Sequence, residues 1–363
     1  MIKSIPLCEV VSKMVHRENI ELNTCPILFI IGNGFDLGLG MKTRYEDVYD
    51  GYIHTSPKSQ AIEAFKAELS KRKPYDKWSD FEMGMAEYAR TISTEDEFIA
   101  CIRDFKSYMV EHLSTENKRI IELIRDKAYE NDLTKELDRS REAFFEGLTP
   151  NAKNQIRAII GNAIPTYNYI TFNYTSVLEE LLALKSRRLK LFENAPLHIH
   201  GSLDNDVVLG VDNPIQLNGA KFFWSSKIGR AFIKTAFNEQ YDRERVAAAK
   251  RLINESAIIC TYGFSMGKSD QTWVDMLRDW LLENKSHHLV TYQYDSTSYN
   301  RCNFDEMMDI EDIKKTNLLK RLEIDQTDIL DQIHVPIGYD IFNFKFVKVV
   351  GATTANPPYN IHY

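Results

Sequence analysis

The stretch Ile27–Thr43, ILFIIGNGFDLGLGMKT, decides how the rest of the chain reads. Its first five residues are apolar and run straight into Gly32-Asn33-Gly34. An unbroken run of β-branched and aromatic residues predicts a strand covered on both faces, as in a parallel sheet with helices on either side. Glycines two apart at the end of such a strand permit a sharp turn, a close approach to a ligand, and N–H groups aimed at an anion. A nucleotide phosphate is the usual occupant. The third glycine, Gly38, makes the spacing G-x-G-x-x-x-G, one residue longer than the dinucleotide fingerprint. Taken alone, the turn fits a purely steric use of glycine equally well.

Strand and helix patterns alternate outward from this stretch. Strands are expected at Tyr167–Phe172, at Pro196–Gly201 followed by Val207–Val211, at Ala257–Gly263, at His288–Tyr294 and at Phe344–Val350. Between Ser59 and about Ile160 the pattern is helical throughout, with AIEAFKAEL, FEMGMAEYA and EFIACIRDFKSYMVEHL all placing apolar residues at helical spacing. Ser176 with Glu179 reads as a capping box opening the helix VLEELLALK, and Asp270 opens QTWVDMLRDWLLE. The expected fold is α/β and Rossmann-like: a mostly parallel sheet flanked by helices, with a helical insertion subdomain. Residues 1-58 and 161-363 form the core and 59-160 the insertion. The first residues, to Thr24, are expected to form a short helix or arm, and the last eight a loose tail.

Composition narrows the function. Net charge is -7, which does not favour non-specific binding to nucleic acid or to an anionic membrane. The five cysteines lack C-x-x-C spacing and are odd in number, which suits a reducing compartment better than a disulfide framework. No apolar run approaches the roughly 20 residues of a membrane span, and no signal-peptide core is visible. A cytoplasmic protein with no membrane partner is expected.

Four strand ends carry unusual residues: Gly32-Asn33-Gly34-Phe35-Asp36, Phe172-Asn173-Tyr174-Thr175, His198-Ile199-His200-Gly201, and Gly263-Phe264-Ser265-Met266 with Ser269-Asp270 beyond. In a parallel sheet all four lie on one rim. An asparagine and a histidine among glycine turns can bind a ribose, place a water and handle a proton, the equipment for attack at an anomeric carbon. Each residue also has a plain use. Asn173 can bond a neighbouring backbone group and Asp36 can cap the first helix. His198 and His200, two apart, should share a strand face, but no third ligand is spaced to join them and no metal is expected. Trp78, Asp80 and Glu82 read as an ordinary helix start.

At these residues the chain resembles the AbiH family of bacterial phage abortive-infection proteins. The resemblance rests on IIGNGFDLGLGMKTRYEDV, WSDFE at Trp78–Glu82, TFNYTSVLE at Thr171–Glu179, HIHGSL at His198–Leu203, and GFSMGKSD. GNGFDL followed by T-x-Y at Thr43–Tyr45 is its most specific part. More distantly the family is similar to the sirtuin-like NAD-consuming fold. That resemblance implies NAD as substrate or ligand, with Asn173 and His200 catalytic: Asn173 places ribose and water and His200 acts as base. It implies cofactor contacts at Gly32, Gly34, Gly263 and Ser265, and Asn33, Phe35, Asp36, Thr43, Gly201 and Asp270 are taken as further candidate contacts on the same rim. Asn33 stands where those proteins carry alanine, no N-I-D segment is found, and the zinc-binding cysteines of deacetylating sirtuins are absent, so deacetylation is disfavoured.

The leading reading is a phage-defence effector hydrolysing NAD or a related nucleotide at the N-glycosidic bond. The alternatives are a non-catalytic nucleotide-binding sensor or scaffold, and a metal-dependent hydrolase of nucleotides or nucleic acid using Asp36, Asp80 and Glu82. Candidate partners are a nucleotide ligand, a phage or host trigger protein, and further copies of the chain.

Overall fold

The computed structural model describes residues 23–71, 78–189, 194–222, 224–293, 304–326 and 328–346. The expected N-terminal arm, the C-terminal tail and most of the Phe344–Val350 strand lie outside them. The chain opens with β1 (Thr24–Ile31) and the short α1 (Gly34–Gly38). Six helices follow: α2 (Tyr45–Ile53), α3 (Gln60–Lys71), α4 (Trp78–Ala89), α5 (Glu95–Arg125), α6 (Lys127–Glu142) and α7 (Pro150–Ile160). Then come β2 (Ile164–Thr171), α8 (Val177–Leu189), β3 (Leu197–His198), α9 (Ser226–Phe232), α10 (Lys234–Tyr241) and α11 (Arg243–Glu255). The chain returns to the sheet with β4 (Ile258–Tyr262), α12 (Gln271–Glu283), β5 (His288–Tyr292), α13 (Phe304–Arg321) and β6 (Ile333–His334).

The strand order is β3-β2-β1-β4-β5-β6, and every pairing is parallel. This is the doubly wound Rossmann-like order, with its reversal between β1 and β4. The run that predicts a doubly covered strand does so because period two sends its apolar residues both ways. Ile27, Phe29 and Ile31 join a core with Ile120, Leu137, Ile156 and Leu181 from α5 to α8, while Leu28 and Ile30 join Ile253, Leu277 and Leu318 from α11, α12 and α13. A third core gathers α2, α3, α4 and the first half of α5 with segment 207–233. The 31-residue α5 therefore enters two cores: Phe98 to Leu113 in the third, Ile120 and Ile124 under the sheet.

Three expected strands differ. Pro196–Gly201 contributes only Leu197–His198, because the chain turns at Ile199. Val207–Val211 is not a strand: it makes a single bridge, Val211 to Ile233, and Val207, Leu209 and Val211 pack on the helical core instead. Phe344 lies in irregular chain, and the sixth strand is Ile333–His334 beside β5. Nor does Glu179 complete a capping box. It accepts from His198, while the backbone N–H and hydroxyl of Ser176 are engaged by Asn117.

Candidate functional site at the strand rim

Because β2, β1 and β4 are neighbours, the turns after them lie side by side. The glycines are accounted for by backbone contact. A β-carbon on Gly32 would stand 2.4 Å from the Gly263 carbonyl oxygen, and one on Gly34 would stand 2.5 Å from Gly263 Cα. Gly263 itself has φ of 65°, in the left-handed region that favours glycine. The order reversal between β1 and β4, where doubly wound sheets open a ligand crevice, is closed by this contact. The turn amides are engaged within the chain as well: Gly32 N–H donates to Tyr262 O at 2.9 Å, Gly34 N–H to Gly263 O at 3.2 Å, and Phe35 N–H to Gly32 O at 3.0 Å.

The remaining residues assigned to this turn divide between core and loop. Phe35 sends its ring into the core, edge-on to Phe342. Asn33 and Thr43 satisfy one another, Nδ2 donating to Thr43 O at 2.9 Å and the Thr43 hydroxyl to Oδ1 at 2.7 Å, which ties the loop back onto the turn. Gly201, with φ of 75°, lets the backbone of Asp206 come close. Ser265 is half-buried beyond β4 and its hydroxyl is unpaired among the described residues.

Two buried polar clusters lie beneath this rim. The first is built on Asp36, which sits inside α1 and is 2% exposed. Its Oδ1 accepts from Asn173 Nδ2 at 2.9 Å and its Oδ2 from the Thr175 hydroxyl at 2.7 Å. Asn173 Nδ2 also donates to Gly32 O at 3.2 Å. Burial pushes the Asp36 carboxyl up to about 7, against the pull of the two hydrogen bonds. His198 borders this cluster. Its Nδ1 lies 2.8 Å from Asn173 O and its Nε2 contacts Glu179 Oε1. A carbonyl only accepts, so Nδ1 carries hydrogen, and a carboxylate at Nε2 requires a second one. Burial works against that charge, but Glu179 outweighs it and His198 is held above the ordinary histidine value.

The second cluster joins five chain segments. Lys234, at the start of α10, donates to Glu82 Oε2 of α4 at 2.9 Å, to Asp270 Oδ1 at 2.9 Å and to Ser269 O at 3.1 Å. Glu82 Oε1 accepts from Gly210 N–H at 3.0 Å. His200 Nε2 lies 3.0 Å from Asp270 Oδ1, within ion-contact range but without hydrogen-bond alignment. Burial and the nearby Lys234 charge hold His200 below its ordinary value, so it is neutral at pH 7. Burial opposes ionisation of Asp270 too, yet the Lys234 ammonium outweighs it and keeps it well below the carboxylate range. Glu82 is raised, with burial the largest cause. Asp270 stands at the N-cap of α12, but its carboxylate makes no cap bond because Lys234 and His200 engage it.

The rim thus brings Asp36, Asn173, His200 and Asp270 together in two pairs. It does not place His198 and His200 on a common face: β3 ends at His198, and the following turn sends His200 to the opposite cluster. Nor are Asp36, Asp80 and Glu82 gathered. Asp36 and Glu82 have different partners and Asp80 is exposed. No group of three His, Cys, Asp or Glu among the described residues is arranged to hold a metal ion.

The family model described as bacteriophage abortive infection AbiH matches residues 28–294. The chain belongs to the AbiH family. Its role accordingly lies in abortive infection of phage-infected cells. The AbiH match spans both clusters, from Asp36 to Asp270, together with the helices that cover them. No curated protein matches the chain. No helix among the described residues is long and apolar enough to cross a membrane.

Sequence reasoning missed Lys234, Thr175 and the Glu179 partner of His198. Thr175 could have been found, since T-F-N-Y-T puts it two residues beyond Asn173 on the same turn. Lys234 carries no local signal: it lies in an amphipathic helical stretch where a lysine is ordinarily solvated.

Proposed function

We propose that this AbiH protein is an effector that hydrolyses NAD or a related nucleotide at the N-glycosidic bond, using Asn173 and His200. The observation that carries this reading is the meeting of four chain segments on one rim of a Rossmann-like sheet, Asp36 hydrogen-bonded to Asn173 and His200 Nε2 3.0 Å from Asp270 Oδ1. The sirtuin-like resemblance supplies NAD as the substrate class. Neutral His200 takes a proton from a water placed with the help of Asn173. The water oxygen bonds to the anomeric carbon, and the bond to the nicotinamide nitrogen breaks, its electron pair neutralising the pyridinium. The products are nicotinamide, ADP-ribose and a proton. Asp270 steadies the imidazolium that forms.

Asn173 and His200 are 7% and 5% exposed, and α4 packs on the turn that carries Asp270. The resting rim is therefore covered, and catalysis requires a phage or host trigger, or self-association, to uncover it. The measurement is nicotinamide release from NAD by concentrated protein, with Asn173→Ala and His200→Ala alongside. Release by the wild type that falls at least a hundredfold in both folded variants is the expected result. A folded double variant that still protects cells from phage overturns the assignment.

The closed contact between Gly34 and Gly263 favours a second reading, a nucleotide sensor without turnover. In that case NAD or ADP-ribose raises the melting temperature while nicotinamide release stays at background.

A further inference from the structure

We propose that Asp36 is the positioning residue of Asn173, holding its side-chain amide so that Oδ1 is offered as an acceptor to a hydroxyl of the bound ribose. The inference rests on the nucleotide reading above and adds the chemistry by which the site selects its ligand. An asparagine amide presents a donor face and an acceptor face, and only its neighbours decide which one a ligand meets. Both Nδ2 hydrogens are committed here, one to Asp36 Oδ1 at 2.9 Å and one to Gly32 O at 3.2 Å. A backbone carbonyl can only accept, so turning the amide over would set its oxygen against Gly32 O and give up the bond to Asp36.

The main chain is pinned in the same sense. Asn173 N–H donates to the Thr171 hydroxyl at 3.1 Å, and Asn173 O lies 2.8 Å from His198 Nδ1. Thr175 fixes the carboxylate from its other oxygen at 2.7 Å. Asn173 Oδ1 is what remains. It accepts from none of the described residues, and it is not among the polar atoms sealed from solvent without a partner. A hydroxyl or a water satisfies it; a carbonyl or a phosphate oxygen is repelled. Asp36 is too enclosed to meet the ligand, so its effect passes through Asn173.

The test compares binding of ADP-ribose with binding of its analogue lacking the ribose hydroxyls next to the anomeric carbon, by calorimetry, for wild type, Asp36→Ala and Asp36→Asn. Asparagine at 36 keeps an oxygen for the Asn173 amide. The expected result is a loss of about tenfold in ADP-ribose affinity for Asp36→Ala, the scale of one hydrogen bond. Its affinity for the analogue should not change, so discrimination disappears, while Asp36→Asn stays within about threefold of wild type. Discrimination that survives in folded Asp36→Ala overturns the proposal. A second measurement needs no ligand: hydrogen exchange of the Asn173 side-chain amide by NMR. Slow exchange in wild type and Asp36→Asn supports the positioning. Exchange in wild type as fast as that of an exposed asparagine refutes it. Slow exchange in a protein that binds no ADP-ribose upholds the positioning and removes the nucleotide reading instead.

Discussion

Asp36 and Asp270 are both buried, both lie at the same rim, and both contact a residue expected to be catalytic, yet burial has opposite outcomes for them. Asp36 is surrounded by neutral donors, Asn173 and Thr175, and its carboxyl is pushed up to about 7. Asp270 touches the Lys234 ammonium and the His200 ring, and it stays ionised far below that. Burial alone therefore does not set the charge of an acid in this site. The presence of a cation within contact distance does. The Asp36 cluster can gain or lose a proton near neutral pH, whereas the Asp270 cluster is held in one charge state by a lysine reaching from a helix far along the chain.

Removing the cation should erase the difference, with the largest effect. Lys234→Met leaves Glu82 and Asp270 facing each other in the interior without a counter-charge, and breaking a buried pair in this way costs about 3–5 kcal/mol. In the wild type the depressed Asp270 contributes stability above the unfolded carboxylate value and loses it as pH falls. In the variant the sign inverts, because the folded state must bind a proton. Denaturant melts from pH 5 to 8 should show the variant weakening as pH rises.

The Asp36 side can be tested in the opposite direction. The folded Asp36 holds its proton up to about pH 7, while the unfolded chain releases it near the ordinary aspartate value of 3.8. Its stabilising contribution is complete below the unfolded value and is lost as pH rises through the folded one. Asparagine at 36 has no such proton. Asp36→Asn should therefore gain on wild type by about 2–3 kcal/mol between pH 5 and pH 8, at about 1.4 kcal/mol per pH unit over the linked range. Parallel stability curves for the two proteins would refute the raised carboxyl.

The smallest change sharpens the comparison. Thr175→Val deletes one of the two hydrogen bonds to Asp36, costing about 1 kcal/mol at pH 8 and less at pH 5, where a protonated acid has less need of a donor. A carbon-13 titration of the Asp36 carboxyl should move to higher pH in this variant.

The fold was legible because its signal is local. Ile27 to Ile31 alternate between two cores, and that period survives any tertiary context. The short strands were harder. His198 and His200 read as a pair on one face because alternation assumes the strand continues, and nothing in H-I-H-G says that it ends after two residues. Val207–Val211 has strand composition, but its apolar residues are needed by the helical core. The site was legible in part for the same reason: turns that follow parallel strands converge whatever their side chains do, so Asn173, His200 and Asp270 could be brought to one rim from sequence alone.

The amino-acid sequence by itself determined the buried central strand, the parallel α/β arrangement, the rim on which the polar residues gather, and membership in the AbiH family. Only the tertiary structure decided that Gly32 and Gly34 press against Gly263, that Asp36 accepts a hydrogen bond from Asn173, and that Lys234 pairs with Asp270 and Glu82. The physical reason is range. Hydrophobic period and glycine turns act over a few residues, whereas the charge and orientation of a buried group depend on whichever atoms lie within about 3 Å of it, and here those atoms come from chain segments 36 to 152 residues away.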